Sequence, residues 1–100
     1  MVAVISFAEA VEMVRARFEP TWSVGTFCLD DREIVENDDF FFINIGAREF
    51  IVDENIDFAI AGSVPAVDKG TGRISSVRSV DVAMDPTVRV SVNPNPKFSE

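Results

Sequence analysis

The sequence predicts an α+β domain, with one N-terminal helix packed on one face of a mostly antiparallel sheet. Three observations carry that prediction. Apolar residues recur at helical spacing from Phe7 to Phe18. From Val24 onward the apolar period falls to two. The stretch from Asp57 to Ile74 holds the plainest reversal in the chain. There Val64 and Val67 lead in, Asp68-Lys69-Gly70-Thr71-Gly72 turns, and Ile74 and Val77 lead out. Asp can bond its own following backbone and Gly accepts positive φ, so β-branched residues on both sides make this a hairpin.

Taken in order, Ser6-Phe7-Ala8-Glu9 reads as a capping box, in which hydroxyl and carboxylate satisfy the first free amides reciprocally. Phe7, Ala10, Val11, Val14 and Phe18 then form one stripe, and Pro20 stops the helix. Glu9 and Glu12 near its start, with Arg15 and Arg17 near its end, agree with the macrodipole. Val24 to Leu29 is expected as a strand with Phe27 and Leu29 on one face and Cys28 on the other. Asp30 to Asp39 is expected as a polar turn region, followed by the strand Phe40 to Ile45. Its three consecutive Phe residues cannot all face one side, which places it centrally in the sheet. Phe50 to Val52 and Ile56 to Ala61 are expected as further strands, with Gly62 and Pro65 bracketing a kink. Arg73 to Val82 follows as a strand, broken by Asp85-Pro86, and Thr87 to Val92 alternates valines with Thr, Arg and Ser. Because exposed β-branched residues make an adhesive edge, Val88, Val90 and Val92 are expected to be covered, within the chain or in a homodimer through Thr87–Val92. Pairing with the preceding strand is the favoured arrangement. Residues 1–92 form a single domain on this reading, and residues 93–100 a flexible tail.

Composition narrows the function. A chain of 100 residues with 47% hydrophobic residues can fold without staples. One cysteine excludes an internal disulfide, and the absence of histidine removes Ser-His and Cys-His pairs and histidine metal sites. A net charge of −8 disfavours nucleic acid and favours a basic protein partner. Met1 to Ile5 is too short an apolar run for a membrane span and lacks a basic flank, so a cytoplasmic protein is expected.

Ile5-Ser6-Phe7-x-Glu9-Ala10, the aromatic strand, Phe58-Ala-Ile-Ala-Gly62, Pro65-x-Val67-Asp68-Lys69 and Thr71-Gly72-Arg73-Ile74 resemble the YrhB-like immunity-protein family. These are small bacterial α+β proteins of polymorphic toxin systems, and the resemblance spans roughly Val4 to Val80. It implies an immunity protein that neutralises a cognate toxin domain by direct binding and occlusion. Asp38-Asp39-Phe40 stands where the family often carries a tryptophan, and the segment after Val82 looks like an added strand. The Val-Asp-x-x-Thr-Gly-x-Ile hairpin also resembles small PepSY-type domains. That keeps open a second class, a structural or chaperone-like module that binds strands at its own edge.

Asp30, Asp31, Glu33, Glu36, Asp38 and Asp39 crowd one connection, opposed only by Arg32. They are the candidate partner-binding patch, able to steer a basic surface, although charge runs are more often solvated loops. Trp22 is a candidate anchor, with cover for the end of the core as the plainer account. Asp53-x-Asn55-x-Asp57 has the opening spacing of a calcium loop. However, Phe58 stands where Gly is needed and Val64 where a bidentate Glu is needed. Asp68-Lys69-Gly70-Thr71-Gly72 superficially matches the phosphorylated aspartate motif of cation pumps, but the order is wrong and a turn explains every residue. Cys28 reads as an inert small hydrophobe. No acid–base pair of defensible spacing is present, so neither an enzyme nor a cofactor is expected.

Overall fold

A computed structural model of the chain describes residues 4–59 and 62–98. Helix α1 spans Phe7–Phe18 and opens on the expected capping box. The Ser6 hydroxyl accepts the Glu9 amide at 3.1 Å, and the Ser6 amide donates to the Glu9 carboxylate at 3.0 Å. Pro20 lies in a short 3-10 turn, Glu19–Thr21, that ends the helix.

Strands β1 (Phe27–Glu36), β2 (Phe40–Ala47), β3 (Ser63–Asp68), β4 (Ile74–Arg78) and β5 (Arg89–Val92) form, among the described residues, one five-stranded sheet. Its order is β4-β3-β2-β1-β5, and every pairing is antiparallel. The helix and this sheet are the α+β fold that the sequence predicts. As expected, β2 is the central strand. Phe41 and Ile43 turn toward α1 and pack with Ala10, Val11, Val14, Leu29 and Val67 in the core. Phe40 and Phe42 project to the other face, with ring centroids 6.2 Å apart. Period-two geometry separates the three neighbouring rings in this way.

The β3–β4 hairpin turns where the Asp/Gly pattern requires. Asp68 Oδ1 accepts the amides of Gly70 and Thr71 at 2.8 and 3.0 Å, and Gly72 takes φ 75°. Pro65 sits in an inner strand, but the β2–β3 ladder covers only Ala66 to Asp68, so its missing amide breaks no pairing there.

Several expectations fail, and most fail for one reason: a strand needs a partner beside it. The Asp30–Asp39 stretch is not a turn region. β1 continues to Glu36, and only residues 37–39 turn, organised by Asn37 Oδ1 accepting the amides of Asp39 and Phe40. β1 starts at Phe27 rather than Val24, because Gly25 bends the chain with φ 60°. The sheet ends at Ala47, and Phe50 to Val52 therefore falls largely in a short helix, α2 (Arg48–Ile51). Ile56–Phe58 is a 3-10 turn rather than a strand, while Ile60 and Ala61 lie outside the described residues. β4 stops at Arg78, opposite the first residue of β3, and the unpartnered chain closes locally as helix α3 (Ser79–Met84).

The last strand is paired within the chain, but with β1 on the far edge and not with the strand before it. Its valines are not covered as expected. Val90 is 59% exposed and Val92 80%. Residues 93–98 of the expected flexible tail are hydrogen-bonded onto β1, and residues 99–100 lie outside the described residues. The buried Asp31 carboxylate accepts the amides of Lys97 and Phe98 at 2.9 Å each, and the Asn93 side-chain amide donates to the Asp31 carbonyl at 2.7 Å. Truncation after Asp85 should therefore lower stability by about 2–3 kcal/mol through lost bonds to a charged acceptor, with no change of oligomeric mass. An unchanged denaturation midpoint would show that this segment contributes nothing to the fold.

Candidate functional site

The six acidic residues singled out in the sequence do not form one patch. A strand sends alternate side chains to opposite faces, and most of these carboxylates already have partners. Asp30 is gripped by Arg32 at 2.9 and 2.7 Å, and Arg32 in turn lies over the Phe98 ring at 4.2 Å. Asp31 is buried beneath the 93–98 segment. Glu36 receives Lys69 Nζ at 2.7 Å, and Asp38 receives Arg89 at 3.0 Å. Glu33 and Asp39 alone of the six lie exposed without an ion pair among the described residues. Three of the six, Asp30, Glu36 and Asp38, are thus met by a cation of this chain.

Charge and apolar surface come together elsewhere. The connection from β2 to β3 carries Glu49, Asp53, Glu54 and Asp57, and there is no Lys or Arg between Arg48 and Lys69. Asp53, Glu54 and Asp57 make no ion pair among the described residues. Between them Phe50 and Ile56 are 39% and 76% exposed. Helix α2 closes with the amides of Glu54 and Asn55 returning to the carbonyls of Phe50 and Glu49 at 3.0 and 2.9 Å. Glu54 occupies the left-handed region there, with φ 57°, where Gly or Asn is usual.

Beneath this connection, at the end of the sheet where α1 stops, lies an open cavity of about 700 Å³. Phe18, Trp22, Phe50 and Phe58 supply aromatic wall, and Ile45, Ile51, Val64 and Pro65 supply aliphatic wall. Its polar lining is Glu54, Asn44, the hydroxyls of Ser63, Ser76 and Ser79, and the Asp30–Arg32 pair. Trp22 is held half-buried, edge-on to Phe27 at 5.3 Å, with its indole N–H donating to the Val24 carbonyl. It packs against Phe27 at the end of the core and also lines the cavity. Glu49 fixes the wall from behind by accepting the Thr26 amide at 2.8 Å. That bond holds the Glu49 carboxyl below its usual range.

A pH dependence follows from Asp30. Its hydrogen bonds from Arg32 hold the carboxyl below the usual value. A depressed folded-state pKa gives stability that is present above the unfolded value of about 3.9 and lost as pH falls through the folded value. Urea unfolding below pH 4 should thus show a shallower acid loss in Asp30→Asn than in the parent. Identical acid slopes would remove the Asp30–Arg32 pair from the account. Cys28, buried between strands, has its thiol pushed up by burial, which suits an inert hydrophobe.

Among the described residues no group of His, Cys, Asp or Glu is placed to hold a metal ion, and no helix is long and apolar enough to cross a membrane. Asn55, in the stretch spaced like a calcium loop, accepts the Asp57 amide at 3.0 Å and caps the 3-10 turn. Glu54, Phe50 and Phe58 were missed in the sequence, although the cation-free run from Glu49 to Asp68 was a readable signal. No family model, curated protein or solved structure matches the chain.

Proposed function

We propose that this chain is a non-enzymatic binding protein that neutralises a basic protein domain by occlusion, a cytoplasmic immunity protein of the kind its sequence resembles. One observation carries this reading. The 48–59 connection exposes Phe50 and Ile56 among three carboxylates without an ion pair among the described residues, a surface that combines apolar anchors with one sign of charge. Apolar contact supplies affinity, and the uniform charge steers a basic partner and repels acidic ones. The docking surface so placed differs from the Asp30–Asp39 stretch, whose carboxylates are largely spent on internal bonds.

The partner to test is the C-terminal domain of a large multidomain protein encoded beside this gene. Co-purification of the two chains and rescue of growth on co-expression are expected. A neighbour of that kind that neither binds nor is neutralised would overturn the proposal. With a binding partner in hand, reversing Asp53, Glu54 and Asp57 to Lys should slow association about tenfold or more at low salt, and less at high salt. An on-rate unchanged at every salt concentration would remove the 48–59 surface from the interface.

A second reading, capture of an extended segment on the sheet edge, is favoured by the exposure of Val90 and Val92 on the outermost strand. Ser91→Pro would abolish binding under that reading and leave it intact under the first.

A further inference from the structure

We propose that the cavity beneath the 48–59 connection receives one arginine side chain, presented by an extended segment of the partner. This rests on the binding function proposed above and names the group that would be bound.

The argument starts from size and charge. A volume of about 700 Å³ lies in the ordinary range of ligand sites, so the hollow can hold a long side chain and part of its neighbour. Its lining cation, Arg32, is bonded through Nε and Nη2 to Asp30 and lies over the Phe98 ring, so its charge is already met within the chain. Glu54 lines the same hollow with a carboxylate that has no cationic partner among the described residues. An anion would face that carboxylate unpaired. Glu54 is an exposed residue, so its charge acts at the surface of the hollow and favours a cationic occupant.

The walls choose among cations. Phe18, Trp22, Phe50 and Phe58 offer ring faces and edges to an apolar stem and to a stacking planar cation. Asn44, Ser63, Ser76 and Ser79 add hydrogen-bond acceptors to the same lining. A guanidinium carries five donors in a rigid fork and stacks on aromatic rings. An ammonium carries three donors and is more strongly hydrated. Arginine fits the lining better than lysine.

Trp22 is the sole tryptophan of the chain and lines the cavity, so its emission reports occupancy directly. The intact protein would be titrated with acetyl-Ala-Arg-Ala-amide, its lysine counterpart and the neutral citrulline counterpart. A saturable change with the arginine peptide is expected at millimolar concentration, weaker with lysine and at least about tenfold weaker with citrulline. Glu54→Gln, placed at the surface where it does not disturb the core, should bring the arginine peptide down to the citrulline level. Glu33→Gln, equal in charge but outside the set of residues that line the cavity, should leave binding unchanged. Backbone amide shifts should concentrate in residues 44–58. Equal binding of arginine and citrulline peptides, an equal effect of the two glutamine variants, or no response to the arginine peptide would each overturn the proposal. A partner domain captured undiminished by Glu54→Gln would overturn the arginine site while leaving the binding function standing. A chain that binds the arginine peptide as described but captures no partner would keep the site and sink the immunity reading.

Discussion

Replacing Ile43 by alanine should cost about 2–5 kcal/mol, the range for truncating a fully buried aliphatic side chain. Ile43 is 1% exposed in the central strand, at the meeting of α1 with β1, β2 and β3. The loss combines its transfer free energy with the cavity left behind, since neighbours anchored in a helix and a sheet relax only partly. For a domain of this length each kcal/mol moves the melting temperature by about 4–8 °C, so a fall of about 8–40 °C is expected. Val92→Ala is the matching control. That residue is also a β-branched strand residue, yet it is 80% exposed and should cost no more than about 0.5 kcal/mol. Thermal unfolding of the two variants checks both numbers. Comparable losses would mean that the β5 valines are covered after all, as their alternation in the sequence suggests.

A second large effect is expected at Gly25. This residue takes φ 60°, and a Cβ there would stand 2.6 Å from Glu49 Oε1 and 2.8 Å from Phe58 Cδ1. Gly25→Ala therefore adds steric overlap to the strain of a left-handed alanine, about 2–4 kcal/mol in all. Gly62 has nearly the same backbone, φ 64°, but no atom within 4 Å of its Cβ position. Gly62→Ala should show the backbone strain alone, about 1–2 kcal/mol. The difference between the two isolates the packing of the Gly25 loop against the α2 end of the cavity. Denaturant midpoints that agree within error would place Glu49 and Phe58 away from Gly25. Because Trp22 bonds to the Val24 carbonyl, Gly25→Ala should also shift its emission.

Local chemistry was legible without coordinates wherever the responsible residues are neighbours in sequence. The capping box, the stripe from Phe7 to Phe18 and the Asp68–Gly72 turn each close within a few residues, and each appears where the sequence places it. The split of Phe40, Phe41 and Phe42 between two faces follows from strand periodicity alone. The positive φ of Gly72 follows from turn geometry, and the methyl of Met13 then lies 2.9 Å from where a Cβ would stand.

The candidate site was not legible in the same way. Asp30 to Asp39 reads as a solvated acidic loop because its charges outnumber its apolar residues. Ile34 packs against the core and fixes the strand, while Arg32 from within the stretch, and Lys69 and Arg89 from distant positions, pair the carboxylates. Lys69 reaches Glu36 across 33 residues of sequence, and Arg89 reaches Asp38 across 51. Spacing cannot reveal such pairs. The cation-free run from Glu49 to Asp68 was visible as composition, but not its position over an aromatic cavity.

The sequence by itself determined one capped helix, a central aromatic strand, a Gly-containing hairpin and a strongly negative chain, because helix stripes, strand alternation and turn residues act over a few positions. Only the tertiary structure decided where strands stop, since an extended segment persists only where another offers it a ladder. It also placed β5 against β1, set Asp31 under the 93–98 segment, and left Asp53, Glu54 and Asp57 without an ion pair among the described residues, with Glu54 lining a cavity. Those outcomes depend on which distant groups meet, and burial settled that by closing α1 over one face of the sheet.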